Sequence, residues 1–79
     1  YPNPFNPSTT VRFTLPKSGR IRVAVVDLLG RTVAEVADGE RPAGSYAAVW
    51  NADGFPSGTY VLVLEANGER LSRKVVLIR

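Results

Sequence analysis

The chain has 79 residues, which is enough for one small domain, and 44% of them are hydrophobic. It contains neither cysteine nor histidine, which excludes a disulfide framework, a thiolate metal site and histidine-based acid–base catalysis. Ten Lys and Arg against seven Asp and Glu give a net charge of +3, a weak basic excess. These features favour a non-enzymatic module without a cofactor or a metal.

The first half of the chain alternates between turn signals and strand patterns. Three prolines in residues 1–7 predict extended backbone that forms neither a helix nor a central strand. Two strands with period-2 alternation follow, the first beginning at Thr10, and residues 16–19 form the turn between them. The apolar residues that share one face of these strands are Val11, Phe13, Leu15, Ile21, Val23 and Val25.

The middle of the chain contains a tight connection at residues 27–31, where Gly30 suits a positive φ. A third short strand is predicted over residues 32–37. Residues 38–44 carry charged residues, a proline and two glycines, so they are predicted to form a polar loop.

The second half of the chain predicts three more strands. The first of them places Tyr46, Ala48 and Trp50 on one face, and a loop over residues 51–58 follows it. Two further strands are predicted, a β-rich run over residues 59–66 and a final strand over residues 69–78. The Asn-Gly pair between them is a strong hairpin signal, and it predicts a positive φ at Gly68.

This regular spacing of short strands predicts an all-β fold, an immunoglobulin-like antiparallel β-sandwich of about seven strands. We expect residues 1–79 to form a single domain without a helix. The side chains expected to meet in its core, from their shared parity, are Phe13, Val23, Val25, Tyr46, Trp50, Tyr60 and Leu64.

Two strands are apolar on both faces. Residues 61–64 suit a central strand that is buried inside the domain. For residues 75–78, burial and an outer face that meets a partner are both open, since a terminal edge strand is normally blunted by polar residues.

The sequence gives little support for a catalytic, metal-binding or phosphate-binding site. Asp27 and Asp53 are the one carboxylate pair worth considering, and both occupy turn positions where Asp caps its own backbone. A calcium-loop pattern laid over residues 49–60 puts Val49 and Tyr60 where carboxylates are required. The sequence also has no glycine-rich phosphate-binding loop.

Two binding surfaces are weighed and disfavoured. Five cations could share an outward sheet face, namely Arg12, Arg20, Arg22, Arg70 and Lys74, but no stacking aromatics lie between them, so no nucleic acid is expected as a partner. A sugar-stacking platform of aromatic rings is less favoured than a core that contains Trp50.

Several segments together resemble one family. In order and spacing, they resemble the C-terminal sorting domains of the type IX secretion system, the Por system of Bacteroidetes-like bacteria. The segments that carry the resemblance are residues 1–10 (YPNPFNPSTT), 26–33 (VDLLGRTV), 43–60 and 73–79 (RKVVLIR). The structural motif positions of this pattern are Pro4, Phe5, Asp27, Gly30, Trp50, Gly58, Tyr60 and Gly68.

The resemblance implies a secreted protein that carries this domain at its extreme C-terminus. The domain would direct attached cargo, such as a glycoside hydrolase or a protease, through the outer-membrane secretion machinery to the cell surface. A sortase-type peptidase would then remove the domain. Residues expected to form part of the recognised signal are Lys74, Val75, Val76, Leu77, Ile78 and Arg79, with the two cations steering and the apolar residues docking.

Two alternatives remain open from the sequence. One is a carbohydrate-binding or adhesive sandwich, and the other is a structural spacer similar to the immunoglobulin-like domain of the flagellar hook cap. Position in the parent protein separates the sorting signal from both alternatives, because a sorting signal must end the precursor while the other two modules can lie anywhere. Arg79 is expected to be a true terminus.

Overall fold

A computed structural model of the chain describes residues 8–78, which form six strands and no helix. The strands are β1 (Ser8–Leu15), β2 (Gly19–Asp27), β3 (Thr32–Arg41), β4 (Gly44–Asn51), β5 (Gly58–Ala66) and β6 (Glu69–Leu77). They pair antiparallel into a two-stranded sheet, β1-β4, and a four-stranded sheet, β3-β2-β5-β6. The inner faces of both sheets contribute to one core. This confirms the predicted all-β sandwich, with six strands in the described part against the seven or so expected.

The core follows the alternation of each strand. β1 and β4 contribute Val11, Leu15, Ala48 and Trp50 from one side, while β2 and β5 contribute the opposing aliphatic residues. All seven predicted core residues belong to this cluster or pack against it, with Phe13 and Tyr46 only partly buried at its margin. Buried members that were not among the seven are Val11, Leu15, Ile21, Ala48, Ala52, Leu62 and Leu77.

Strand β5 lies between β2 and β6, as its apolar character on both faces predicts. Leu62 and Leu64 point into the core, and Val63 is also buried although it faces the opposite side of the sheet. Val63 pairs with Ala24 of β2, which is likewise buried on that outer face. A central position therefore buries both faces of this part of the sheet.

The predicted polar loop over residues 38–44 is wrong. β3 continues to Arg41 and β4 begins at Gly44, so only two residues connect them. Residues 38–41 form a strand because they pair with β2, where Arg20 lies opposite Glu40 and Gly19 lies opposite Arg41. Arg20 also forms a 2.9 Å ion pair with Asp38 across the two strands.

Three aromatic rings pack edge to face at one end of the core. The centroid of Trp50 lies 5.2 Å from that of Phe55 and 5.3 Å from that of Tyr60. Trp50 is only 3% exposed, so its ring is not accessible to a sugar, and the interpretation of Trp50 as a core residue is confirmed. Among the described atoms, its indole N–H finds no hydrogen-bond acceptor.

A repeated pattern, Pro-x-Gly-Ser/Thr-Tyr, anchors the starts of β4 and β5, and the sequence reasoning did not identify it. It occurs at residues 42–46 and again at residues 56–60. In each copy the tyrosine hydroxyl donates a hydrogen bond to the carbonyl of the proline four residues earlier. Each tyrosine thus fixes the backbone that leads into its own strand.

The β2–β3 connection is held by the Asp27 carboxylate. Its Oδ1 accepts hydrogen bonds from the backbone N–H of Leu29 at 2.9 Å and of Arg31 at 3.0 Å, while Oδ2 pairs with the Arg31 guanidinium at 2.9 Å. Gly30 adopts a φ of 81°, as predicted. The Arg31 backbone hydrogen bond is the main cause that lowers the pKa of Asp27 below its ordinary 3.8, and burial opposes it.

The β5–β6 hairpin turns through Asn67 and Gly68, whose φ angles are 51° and 81°. Positive φ at both central positions is typical of a type I′ turn, which matches the twist of the flanking strands. The predicted positive φ at Gly68 is therefore confirmed.

We expect Trp50→Ala to lower the free energy of unfolding by about 3–5 kcal/mol, because it removes a large buried ring and leaves a cavity. Chemical denaturation of both proteins measures the loss. Val49→Ala is the matched control, since Val49 is the exposed neighbour of Trp50 and should change stability by less than about 0.5 kcal/mol. Equal midpoints for the two variants would contradict the placement of Trp50.

We expect Gly68→Ala to destabilise the domain by about 1 kcal/mol, since alanine is strained at positive φ. Thermal melts of this variant and of Glu69→Ala, which changes an exposed neighbour, provide the comparison. An unchanged melting temperature for Gly68→Ala would show that the hairpin does not need glycine.

We expect the stabilising effect of Asp27 to depend on pH. Because the folded state lowers the pKa of Asp27, this contribution is present above pH 3.8 and is lost as the pH falls through the folded-state pKa. Scanning calorimetry of the wild type and Asp27→Ala between pH 7 and pH 2 should give melting temperatures that converge at low pH. Asp27→Asn, which keeps an acceptor but no charge, should lie between them at pH 7. A difference that is the same at both pH limits would refute this account.

Candidate recognition surface

The final strand, β6, lies at an edge of the four-stranded sheet and pairs only with β5 among the described residues. In this register, Lys74 lies opposite Val61 and Val76 lies opposite Thr59. The other side of β6 therefore presents backbone N–H and C=O groups that no described strand satisfies. Such an edge can accept a further strand.

The side chains of β6 divide between two faces, so residues 75–78 are buried only in part, and whether their outer face meets a partner stays a prediction. Val75 and Leu77 point inward and belong to the core or pack against it. Lys74 and Val76 point outward, and Ile78 just beyond the strand is also exposed, with 57% of Val76 and 80% of Ile78 accessible. Alternate residues thus anchor the strand and remain open to solvent.

The cations of β6 have no ion-pair partner in the part of the chain that the structure describes. Arg70, Arg73 and Lys74 are exposed, and none forms an ion pair within residues 8–78. Glu69 is the only carboxylate on this strand. This edge of the domain is therefore positively charged.

The five cations that could have shared one outward face do not form a single basic face, in agreement with the low weight that a nucleic-acid surface received from the sequence. Arg12 lies on β1, in the other sheet. On β2, Arg20 pairs with a carboxylate of β3, and the guanidinium of Arg22 lies between Glu35 at 3.1 Å and Glu65 at 3.5 Å. The hydrogen bonds that Arg22 donates to these two carboxylates help to raise its pKa, and the one to Glu35 contributes most. Carboxylates on the neighbouring strands β3 and β5 thus neutralise the two arginines of β2.

A pair of exposed leucines lies at the same end of the sandwich as the end of β6. Leu28 and Leu29 form the tip of the β2–β3 turn and are among the most exposed apolar side chains of the described part. Asp27, which precedes them, lies beside Tyr60, and Tyr60 lies beside Val75 of β6. Two leucines within a tight polar turn are the sequence signal that could have identified this apolar tip.

The remaining predicted positions have defined places or lie outside the described residues. Gly58 begins β5 and Tyr60 is buried two residues later. Pro4, Phe5 and Arg79 fall outside residues 8–78.

Chemical sites receive no support from the geometry. Asp27 is engaged in its turn, and the backbone N–H of Asp53 donates to the Asn51 side chain at 3.0 Å in a separate loop. Within the described range, no group of three or more acidic, histidine or cysteine side chains is placed to hold a metal ion. No described segment is a helix of sufficient length and apolarity to cross a membrane.

Comparison with known families gives one match. The model of the family described as secretion system C-terminal sorting domain, Por_Secre_tail, matches residues 1–78. Searches of curated proteins and of solved structures returned no match. The match covers nearly the whole chain, and it agrees with the resemblance that the proline-rich start, the Asp27 turn and the basic-apolar end predict. The chain therefore belongs to the family of C-terminal sorting domains, which are the signals that direct attached cargo through the type IX secretion system.

Proposed function

We propose that this domain is read by the secretion machinery through the exposed edge of β6. The observation that carries the proposal is the division of this strand between two faces. Val75 and Leu77 attach it to the core, while Lys74, Val76 and the following Ile78 remain exposed, and no described strand pairs with the outer edge of β6. A partner can therefore bind the strand without unfolding the domain.

Three interactions contribute to recognition in this proposal. Unsatisfied backbone groups of β6 pair with a strand of the partner. Val76 and Ile78 dock into apolar pockets, since exposed apolar residues on an edge strand gain most from being covered. Lys74 and Arg79 attract an acidic surface and raise the rate of encounter.

The proposal extends to the organisation of the parent protein. Residues 1–79 form the last domain of a secreted protein, and the cargo precedes it, for example a glycoside hydrolase or a protease. Outer-membrane components of the secretion system bind the domain, and a sortase-type peptidase separates it from the cargo at the cell surface. The family assignment supports the attachment to cargo and the use of this secretion route.

A fluorescent reporter fused to the N-terminal side of the domain tests the function in a host with the type IX system. We expect the intact fusion to reach the cell surface or the medium. We expect Lys74→Glu combined with Arg79→Glu to reduce export at least about tenfold, as loss of electrostatic steering predicts. Lys17→Glu combined with Arg41→Glu is the control, because it makes the same change in net charge at the opposite end of the sandwich.

The apolar contribution is tested by Val76→Ser combined with Ile78→Ser, for which we expect periplasmic retention. Val49→Ser combined with Ala47→Ser changes two exposed apolar side chains of β4, in the other sheet, and should leave export intact. All variants are first shown to melt at the wild-type temperature. Failure of the intact fusion to be exported would refute the sorting function. Normal export of both β6 variants would refute this strand as the recognised surface while leaving the sorting function in place.

A further inference from the structure

The two sheets of the sandwich differ in width, and one side of the core is consequently open. The two-stranded sheet covers only part of the four-stranded sheet, because within residues 8–78 no strand pairs with β1 on the side that lies over β5 and β6. Leu71 shows the effect clearly. It shares the inward parity of Leu77 on β6, yet it is 65% exposed while Leu77 is 6% exposed.

An apolar groove fills this gap between β1 and β6. It consists of two adjacent cavities of about 210 and 550 Å³ that share Arg12, Leu64 and Leu71 in their linings. Phe13 contributes to the wall on the β1 side, and β5 supplies part of the floor. The groove is therefore lined by the inner faces of both sheets, at the place where another strand would complete the smaller sheet.

Four charged side chains line the groove, the cations Arg12, Lys17 and Arg73 and the carboxylate Glu69, so its net charge is positive. Arg12 extends from β1 and Arg73 lies on the inward parity of β6, and both line the smaller cavity. Neither has a carboxylate partner among residues 8–78, whereas Arg20, Arg22 and Arg31 do. Exposed cations above an apolar floor favour an occupant that carries both carboxylates and apolar side chains.

We propose that this groove binds an extended segment of a partner protein in which acidic and apolar residues alternate. The segment pairs with the free edge of β1 and becomes the third strand of the smaller sheet. Its apolar side chains cover Leu64 and Leu71, and its carboxylates pair with Arg12 and Arg73. A second copy of this chain is a poorer occupant, because it would bring the same arginines and the same net positive charge into the contact.

This inference does not depend on recognition of residues 74–79, and its test is made on the purified 79-residue chain in solution. The probe is a capped heptapeptide of alternating Asp and Val that begins and ends with Asp, and its control is the same peptide with Lys in place of Asp. We expect the acidic peptide to shift backbone amide NMR signals of β1, β5 and β6, and to slow hydrogen exchange of β1 amides. Slowed exchange distinguishes strand addition from adsorption to a charged surface, which leaves edge amides unprotected.

Variants of the two arginines identify the groove. Arg12→Gln combined with Arg73→Gln should weaken binding of the acidic peptide by about tenfold, as loss of charge-assisted hydrogen bonds predicts. Arg20→Gln combined with Arg41→Gln makes the same change in net charge on β2 and β3, where neither residue lines the groove, and should alter the affinity less than about twofold.

Four outcomes would overturn the proposal. They are equal binding of the Lys peptide, equal weakening by both pairs of substitutions, no binding of the acidic peptide, and no protection of β1 amides in the complex. Concentration-dependent shifts of the same amides without peptide would assign the groove to a second copy. Binding that appears only after removal of residues 1–7 would assign it to the chain's own first residues.

Discussion

The antiparallel pairing of β2 with β5 is the interaction on which the rest of the structure depends. These two strands supply Val23, Val25 and Leu62, which are almost completely buried, and they hold β3 and β6 on either side. Because the chain has no cysteine or histidine, this ladder and the core beneath it stabilise the domain without a disulfide or a histidine-bound metal. The smaller sheet closes over the ladder and adds Trp50, whose ring contacts Phe55 and Tyr60.

The same arrangement decides where charge remains uncompensated. Carboxylates of β3 and β5 lie beside the arginines of β2, so the centre of the outer face is neutralised by ion pairs. The cations of β1 and β6 form no ion pair among the described residues, although Glu65 lies opposite Arg70, and these two strands are also the ones that border the open side of the sandwich. Positive charge at an open edge opposes pairing between identical copies, which protects an otherwise exposed strand from aggregation. The same positive charge favours acidic partners. Both proposed surfaces, the edge of β6 and the groove between β1 and β6, therefore depend on the cations of these two strands.

Local patterns predicted much of this molecule. Period-2 alternation identified the inner faces of β1, β2 and β4, and the Asn-Gly pair identified the β5–β6 turn. The extent of β3 could not be predicted, because residues 38–41 are polar and glycine-containing and become a strand only through pairing with β2. Local patterns could not decide whether the five cations share one face. They do not, because Arg12 belongs to a different sheet from the other four. Of the candidate site, the sequence indicated β6 but not which of its apolar side chains are free.

The sequence by itself determined the class of fold, the strand alternation, the two glycine turns and, through the order of its motifs, the sorting-domain family. Each of these depends on neighbours in the chain or on spacing along it, which is information that a linear sequence contains. Only the tertiary structure decided the order of the strands, the burial of Val75 and Leu77 beside the exposure of Val76 and Ile78, and the groove between β1 and β6. These features arise from contacts between residues far apart in sequence, where the width of one sheet relative to the other sets which side chains are covered.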